Sequence, residues 1–235
     1  MQDAVRRVEA PGPVAVIGDI HGEAGLLARL LERLPEDALV VCVGDLGDRG
    51  PDTRGVLDRL IERGAVGVLG NHDLWLRDWA VGRGFDRMAL TPSMGGVTTL
   101  QSYGVKPGDI EAQAPRVPEH HRRWLAALPV ALDLVVAGQP WWVIHAGVPL
   151  HVRFPPGIEL AELVPWLARE APEALLWPKT PPDMMIPVDR PVIMGHQPQP
   201  RPLDLGHLIA VDTGSGRGGA LSALLLPERR FLTIR

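Results

Sequence analysis

An α/β fold of two packed, mixed sheets with helices covering the outside is what this sequence predicts, and three observations lead there. The first seventy residues alternate apolar runs with helical periodicity, the pattern of parallel strands joined by right-handed crossovers. The second half carries closely spaced apolar runs with few helices between them, which suggests antiparallel pairing among the last strands. The chain has 235 residues, 46% apolar and 22% charged. That is ordinary globular usage, enough to bury one core, so residues 1–235 are expected to form a single domain.

Taken in order, Val14 to Gly18 (VAVIG) reads as a buried strand. Glu23 to Leu34 places Leu26, Leu27, Leu30, Leu31 and Leu34 on one helical face, with Pro35 as the stop. Leu39 to Gly44 is a second strand. Pro51 and Asp52 open a helix with Val56, Leu57, Leu60 and Ile61 on its apolar side, Gly64 caps it, and Val66 to Gly70 is a third strand. Residues 85–128 are polar and broken by Pro and Gly, with one short helix near Glu119 to Leu128, and read as an inserted lobe. Later strands are expected at Trp141 to His145, Pro191 to His196, Leu208 to Gly214, Leu221 to Leu226 and Phe231 to Arg235. The Pro-rich passage Pro172 to Pro187 reads as a surface loop bordering a site.

Composition excludes several classes. A formal charge of −4 gives no basic field, so neither nucleic acid nor a membrane surface is an expected partner. The single cysteine, Cys42, rules out an internal disulfide framework and a thiolate zinc site; mid-strand, it should be buried and inert. The opening MQDAVRRVEAPGP lacks the apolar core of a signal peptide and no apolar run reaches membrane-span length, so a cytoplasmic protein is expected.

The residues just past each apolar run carry the chemistry. The first strand ends in Gly18-Asp19-Ile20-His21-Gly22, the second in Gly44-Asp45-Leu46-Gly47-Asp48-Arg49-Gly50, the third in Gly70-Asn71-His72-Asp73. Two later strands end in His145-Ala146-Gly147 and Gly195-His196-Gln197. An Asp or Asn beside Gly after a strand is ordinarily a turn, and a lone strand-end His is ordinarily hydrogen-bonded structure. Six such groups at the carboxyl ends of five strands are a different matter, because that is the edge where α/β sheets bind ligands. Asp19, His21, Asp45, Asn71, His145 and His196 offer carboxylate, amide oxygen and imidazole, a donor set suited to a pair of divalent metals such as manganese, iron or zinc. Two such ions about 3.5–4 Å apart can make water nucleophilic near neutral pH and clamp phosphate oxygens. Arg49, in a glycine-flanked turn, can fork onto two phosphate oxygens.

These motifs, GDIHG, GDLGDRG, GNHD, HAG and GH in this order, resemble the phosphoprotein-phosphatase branch of the calcineurin-like metallophosphoesterases, from about Val14 to Leu226. Small bacterial Ser/Thr protein phosphatases are the nearest likeness, through GGVTTLQSYG, VPEHHRRWLAALP, LLW and VDTG followed by GGALSAL. GNHDLWL and DTGSGRGGALSAL are also similar to symmetrical diadenosine tetraphosphate hydrolases. The resemblance implies a β-sandwich flanked by helices and two metal ions, manganese by preference. Asp19 and His21 would bind the first ion, Asp45 would bridge both, and Asn71, His145 and His196 would complete the second. A metal-bridging hydroxide would attack phosphorus in line, and His72, oriented by Asp48, would protonate the leaving alkoxide. Asp48 favours the protein-phosphatase side, since related diadenosine hydrolases commonly carry a small residue there. Asp73 is expected to shape the turn.

Two positions depart from the family pattern. Gly47 replaces the usual apolar residue and should loosen the turn. Lys179 stands where a second phosphate-gripping arginine is usual, two residues after Trp177, and offers a point charge without the fork. Lys179 is expected to contact phosphate with Arg49; the alternative is that Arg190 or Arg217 takes that part and Lys179 is a solvated loop lysine. The resulting readings are a Ser/Thr protein phosphatase, a dinucleoside polyphosphate hydrolase as the alternative, and an inactive binding module as a distant third, the last disfavoured by the complete ligand set. Among the remaining histidines, His120, His121, His151 and His207 have no partner at ligand spacing. His120-His121-Arg122-Arg123 reads as the solvated face of a helix. Trp141 and Trp142 should straddle the two faces of their strand, as core and rim.

Overall fold

Short, almost wholly apolar runs need apolar cover on both faces, and the structure, a computed structural model describing residues 4–235, supplies it with two stacked sheets and helices outside each. The five-stranded sheet has the order β11-β10-β2-β3-β4, with β2 (Val14–Ile17), β3 (Leu39–Cys42), β4 (Val66–Gly67), β10 (Leu221–Leu226) and β11 (Arg230–Ile234). In it β2, β3 and β4 run parallel, and β10 lies antiparallel to both β2 and β11. The six-stranded sheet has the order β1-β5-β6-β7-β9-β8, with β1 (Val5–Ala10), β5 (Ala131–Val136), β6 (Gln139–Ile144), β7 (Val192–Met194), β8 (Leu203–Asp204) and β9 (Leu208–Ala210). Parallel pairs β1·β5, β6·β7 and β7·β9 are interspersed there with antiparallel β5·β6 and β8·β9.

The period of two along each strand sorts side chains into layers. Val14, Val16, Val41, Val43, Leu224 and Leu226 meet Leu132, Leu134, Trp141, Val143, Ile193 and Ile209 between the sheets. Their strand neighbours Ala15, Ile17, Val40, Cys42, Ala223 and Leu225 face α1 (Ala24–Leu31), α2 (Thr53–Glu62), α3 (Asp73–Ala80), α4 (Gly96–Ser102) and α5 (Glu119–Ala126). On the far side, Trp142, Ile144, Val192 and Met194 pack against Leu163, Val164 and Leu167 of α6 (Leu160–Glu170). Trp141 and Trp142 do lie on opposite faces of β6, but both are buried, so neither is a rim residue. Cys42 is a free, fully buried cysteine. Among the described residues no helix is long and apolar enough to cross a membrane.

Several expectations need correction. The last three apolar runs do not form one antiparallel set: β10 and β11 pair so, whereas β9 belongs to the other sheet, beside β7. The loop after β9 carries the chain across from one sheet to the other. The first helix stops at Leu31, four residues before Pro35, and Glu32 to Leu34 leave the helix before the proline is reached. Segment 85–128 holds α4, α5 and two short 3-10 helices, and its Ala89, Leu100, Tyr103, Val117 and Leu125 join the same buried cluster as α1–α3. Most of the Pro172 to Pro187 passage is irregular, as expected, but it opens with α7 (Glu173–Leu176).

Candidate metal centre

Each candidate ligand leaves a strand at its carboxyl end, and the two sheets bring those ends to one edge. Asp19 and His21 follow β2, Asp45 follows β3, Asn71 and His72 follow β4, His145 follows β6 and His196 follows β7. All of these but His196 are buried. The turns that hold them are strained: His21, Asp45, Asp48, Arg49 and His196 take φ of 49°, 52°, 70°, 65° and 67°. Positive φ is uncommon for residues with a side chain and persists where surrounding contacts enforce it. Backbone hydrogen bonds do so here: Ile20 and His21 N–H both donate to the Asp45 carbonyl, at 3.0 and 2.9 Å.

Around Asp45 the donor atoms converge. His145 Nε2 lies 3.4 Å from Asp45 Oδ1 and His21 Nε2 lies 3.6 Å from Asp45 Oδ2. Asn71 Oδ1 is 3.0 Å from both His145 Nε2 and His196 Nδ1, and those two nitrogens are 3.1 Å apart. Asp19 is tied in through the His196 N–H, which reaches its two oxygens at 3.1 and 3.0 Å. His145 Nδ1 donates to the Val43 carbonyl at 2.8 Å and His21 Nδ1 to the Gly47 carbonyl at 2.9 Å, which leaves both Nε2 lone pairs facing inward. Asp73 accepts from the N–H groups of Asp45, Leu46 and Gly70 at 2.8, 2.9 and 2.9 Å, so it shapes the turn.

Beside this cluster sits a second constellation. His72 Nδ1 donates to Asp48 Oδ2 at 2.8 Å, and the same carboxylate accepts from Trp75 Nε1 at 3.0 Å and Thr99 Oγ1 at 2.9 Å. Burial alone would lower the His72 pKa, but the Asp45 charge and the Asp48 hydrogen bond outweigh it and leave it raised. Arg49 bridges His21 and His72, with Nη2 at 2.8 Å from His72 Nε2. Gly47 does not loosen its turn as expected: a Cβ there would lie 2.8 Å from Thr53 Cγ2 and 3.2 Å from Thr99 Oγ1, so glycine admits the threonine pair.

The cluster opens onto a cavity of about 460 Å³ lined by Asp45, Arg49, Asn71, His72 and His196, and on its outer walls by Met88, Trp177, Lys179, Gln197 and Arg217. Lys179 and Arg217 thus both reach the cavity. Arg190 is not among its walls; it pairs with Asp133 at 2.6 Å and Asp189 at 2.7 Å, over the Trp142 ring.

A model of the calcineurin-like phosphoesterase family matches residues 12–218. The chain belongs to that family. It is therefore a metallophosphoesterase, a hydrolase. This phosphoesterase is 28% identical to the Serine/threonine-protein phosphatase 1 of Salmonella typhimurium, over 94% of its own length and 96% of that protein. A stretch of 74 residues is 47% identical to the symmetrical bis(5'-nucleosyl)-tetraphosphatase of Ralstonia nicotianae, covering 30% of this chain and 26% of that one. In fold it is similar to a solved structure provisionally named a diadenosine tetraphosphatase, with TM-score 0.63, 23% identity and 97% of each chain covered.

The family implies divalent ions, and the residues fit them. With the His145 proton on Nδ1, its Nε2 and Asn71 Oδ1 are two acceptors 3.0 Å apart, and His196 Nδ1 lies 3.0–3.1 Å from both, a convergence of nitrogen and oxygen donors suited to a cation. Burial lowers the pKa of His21 to about 3, and burial with His145 lowers that of His196 to about 4, so both imidazoles are neutral and ligand-competent near pH 7. Burial and mutual repulsion push the Asp19 carboxyl well up, and burial raises that of Asp212 to about 6. Such a concentration of buried carboxylates is stabilised by bound positive charge. Asp212, at 2% exposure, is an acidic residue of this edge that the strand-end pattern leaves out. It follows β9 in VDTG, and its signal in the sequence is an aspartate two residues before a glycine at a strand's carboxyl end.

Proposed function

We propose that this phosphoesterase is a Ser/Thr protein phosphatase with two divalent ions, manganese by preference and iron or zinc otherwise, held by Asp19, His21, Asp45, Asn71, His145 and His196. The observation that carries the reading is the buried Asp48–His72 pair, 2.8 Å apart, whose free imidazole nitrogen meets Arg49 at the cavity wall. The full-length similarity to a bacterial Serine/threonine-protein phosphatase supports it. The domain reading, one unit over 1–235, goes with it.

Bound ions would supply an electrophilic clamp on phosphoryl oxygens and water acidic enough to attack phosphorus near neutral pH. The chain's own residues do the rest. Arg49 forks onto two phosphoryl oxygens. Its Nη2 and a proton compete for the same His72 lone pair, so drawing the guanidinium onto phosphate frees Nε2 to carry a proton. Asp48 fixes that imidazole through Nδ1 and stabilises its charged form. As the bond from phosphorus to the seryl or threonyl oxygen breaks, the Nε2 proton goes to the departing alkoxide, giving phosphate and the free hydroxyl. Lys179 and Arg217, both on the cavity wall, supply the further positive charge for the phosphate. Exposed Met88 and Trp177 at its rim offer apolar surface to the residues flanking a phosphoserine.

Manganese-loaded protein is expected to hydrolyse a phosphoserine peptide with a higher kcat/KM than diadenosine tetraphosphate, and to lose that activity on chelation. The reverse preference would replace this reading by the second one, hydrolysis of dinucleoside polyphosphates. That alternative is favoured by the 47% identical stretch and by a further cavity of about 510 Å³ that shares Arg49, Ser93 and Arg217 with the first and could seat a second nucleotide. His72→Asn separates chemistry from binding: an alkyl phosphate should suffer about 10²–10⁴-fold in kcat, an aryl phosphate far less, because its leaving group needs no proton.

A further inference from the structure

Away from the catalytic edge, α2 and α5 bring together three groups that the sequence leaves without partners. His121, expected on a solvated helix face, has a fully buried side chain, and its Nε2 lies 2.8 Å from Asp58 Oδ1. His120, one residue earlier and 56% exposed, turns its own Nε2 to the same oxygen at 3.4 Å. The two rings stand edge to face with centroids 4.4 Å apart, although adjacent helical residues ordinarily diverge. All three ligand atoms lie within 4.8 Å of one another.

We infer that Asp58, His120 and His121 form a second metal site, separate from the catalytic cluster, for a late first-row divalent cation of the zinc class. Bonds of about 2.0–2.1 Å in a tetrahedron place ligand atoms roughly 3.3 Å apart. The His120–Asp58 distance is already there, and the His121–Asp58 distance needs to open by about half an ångström. Two imidazoles and one carboxylate select zinc, nickel or copper over magnesium or calcium, and leave the fourth position to water from the solvent side. Tyr103 supplies what metal-bound histidines generally have, a hydrogen-bonding partner on the other ring nitrogen: its hydroxyl is 2.9 Å from His121 Nδ1. Burial lowers the His121 pKa, which keeps the ring neutral and available near pH 7. The opposing charge is Arg54, whose Nε lies 3.9 Å from Asp58 Oδ2, the oxygen not needed for the metal. A cation here joins α2 to α5, and through Tyr103 to the end of α4.

The test counts metal. Manganese-loaded protein is equilibrated with micromolar Zn2+, and bound zinc is measured for the wild type, His120→Ala and Asp58→Asn. The expected result is one equivalent fewer in each variant, with aryl-phosphatase turnover retained. His120→Ala is the decisive variant, since truncating an exposed side chain leaves the fold intact even if Asp58→Asn loosens the buried His121. Equal zinc in the wild type and His120→Ala would overturn the assignment. Asp19→Asn keeps the two ideas apart: it should impair catalytic metal binding and leave this equivalent in place.

Discussion

Thr99→Val is the substitution that bears most directly on how His72, the proposed acid, is held. Thr99 Oγ1 accepts the Asp48 N–H at 2.8 Å, donates to Asp48 Oδ1 at 2.9 Å and meets Thr53 Oγ1 at 2.8 Å, all without solvent. Valine keeps the shape and removes the hydroxyl. It leaves an amide donor and a carboxylate oxygen of Asp48 unpaired in the interior, at roughly 1–3 kcal/mol for each such group. A loss of about 3 kcal/mol is expected, which for a chain of this size lowers Tm by roughly 6–12 °C. Asp48 keeps its contacts with His72 and Trp75, so the imidazole is loosened rather than released. The kcat on an alkyl phosphate should therefore fall about tenfold, or about 1.4 kcal/mol in the barrier. An aryl phosphate should be nearly unaffected. Thermal unfolding and the two kcat values, each also measured in a His72→Asn background where Thr99→Val should add little to the kinetic loss, make the assay. Equal loss on both esters, or full additivity with His72→Asn, would refute the idea that Thr99 acts through Asp48 on proton transfer.

Arg217→Ala should raise KM for a phosphoester by about 10–100-fold, the range for one charge-assisted hydrogen bond, while Arg190→Ala should leave it unchanged, as initial rates over a substrate series will tell. Burial pushes the Cys42 thiol well above its ordinary range, so the folded state keeps that proton while the unfolded chain loses it near pH 8.5–9. The thiol's contribution is thus fully present below the unfolded pKa and declines above it. Urea titrations should show the wild type losing roughly 1 kcal/mol more than Cys42→Ala between pH 7 and about 9.5. Gly195→Ala would put a Cβ 2.0 Å from Asp19 Oδ1, and should lower both bound metal and turnover, read by elemental analysis and an aryl-phosphate assay.

Most of the candidate metal-binding edge is legible in the sequence because strand ends announce themselves: an apolar run stops, and Gly-Asp, Gly-Asn or a histidine comes next. The parts that stay hidden depend on long-range partners or on backbone shape. Thr99 lies 51 residues from Asp48, and nothing in GGVTTLQSYG says which threonine turns inward. The positive φ of Asp45, Asp48 and His196 suits aspartate and histidine, which tolerate it better than most residues, but it is contacts between loops that select it at these positions. Strand β1 escapes the apolar pattern because VRRVEA is an edge strand with exposed charge, its Arg7 paired with Asp133 of β5 at 2.8 Å. Helix α6 carries Pro165 inside it, which masks its periodicity, yet Leu163, Val164 and Leu167 still face the core. His121 reads as solvated because its neighbours, His-Arg-Arg, are polar; its burial depends on Tyr103 and Asp58, which a local window cannot supply.

The site depends on how the two sheets approach each other, and that closeness is built from small residues at one edge. Between most strands the branched core side chains hold the sheets apart. At the catalytic edge two glycines replace such spacers. A Cβ on Gly18 would lie 2.4 Å from the Val211 carbonyl, and one on Gly195 would meet Val43 Cγ2 at 2.6 Å as well as Asp19. The sheets therefore converge there, and the convergence lets His145 of one sheet donate to the Val43 carbonyl of the other at 2.8 Å. Asp19, His21, Asp45 and Asn71 follow strands of the five-stranded sheet, His145 and His196 come from the six-stranded one, and neither sheet alone supplies all six candidate ligands. Widening the gap by one methyl group at Gly18 or Gly195 should thus separate the imidazoles from the carboxylates while both sheets stay folded.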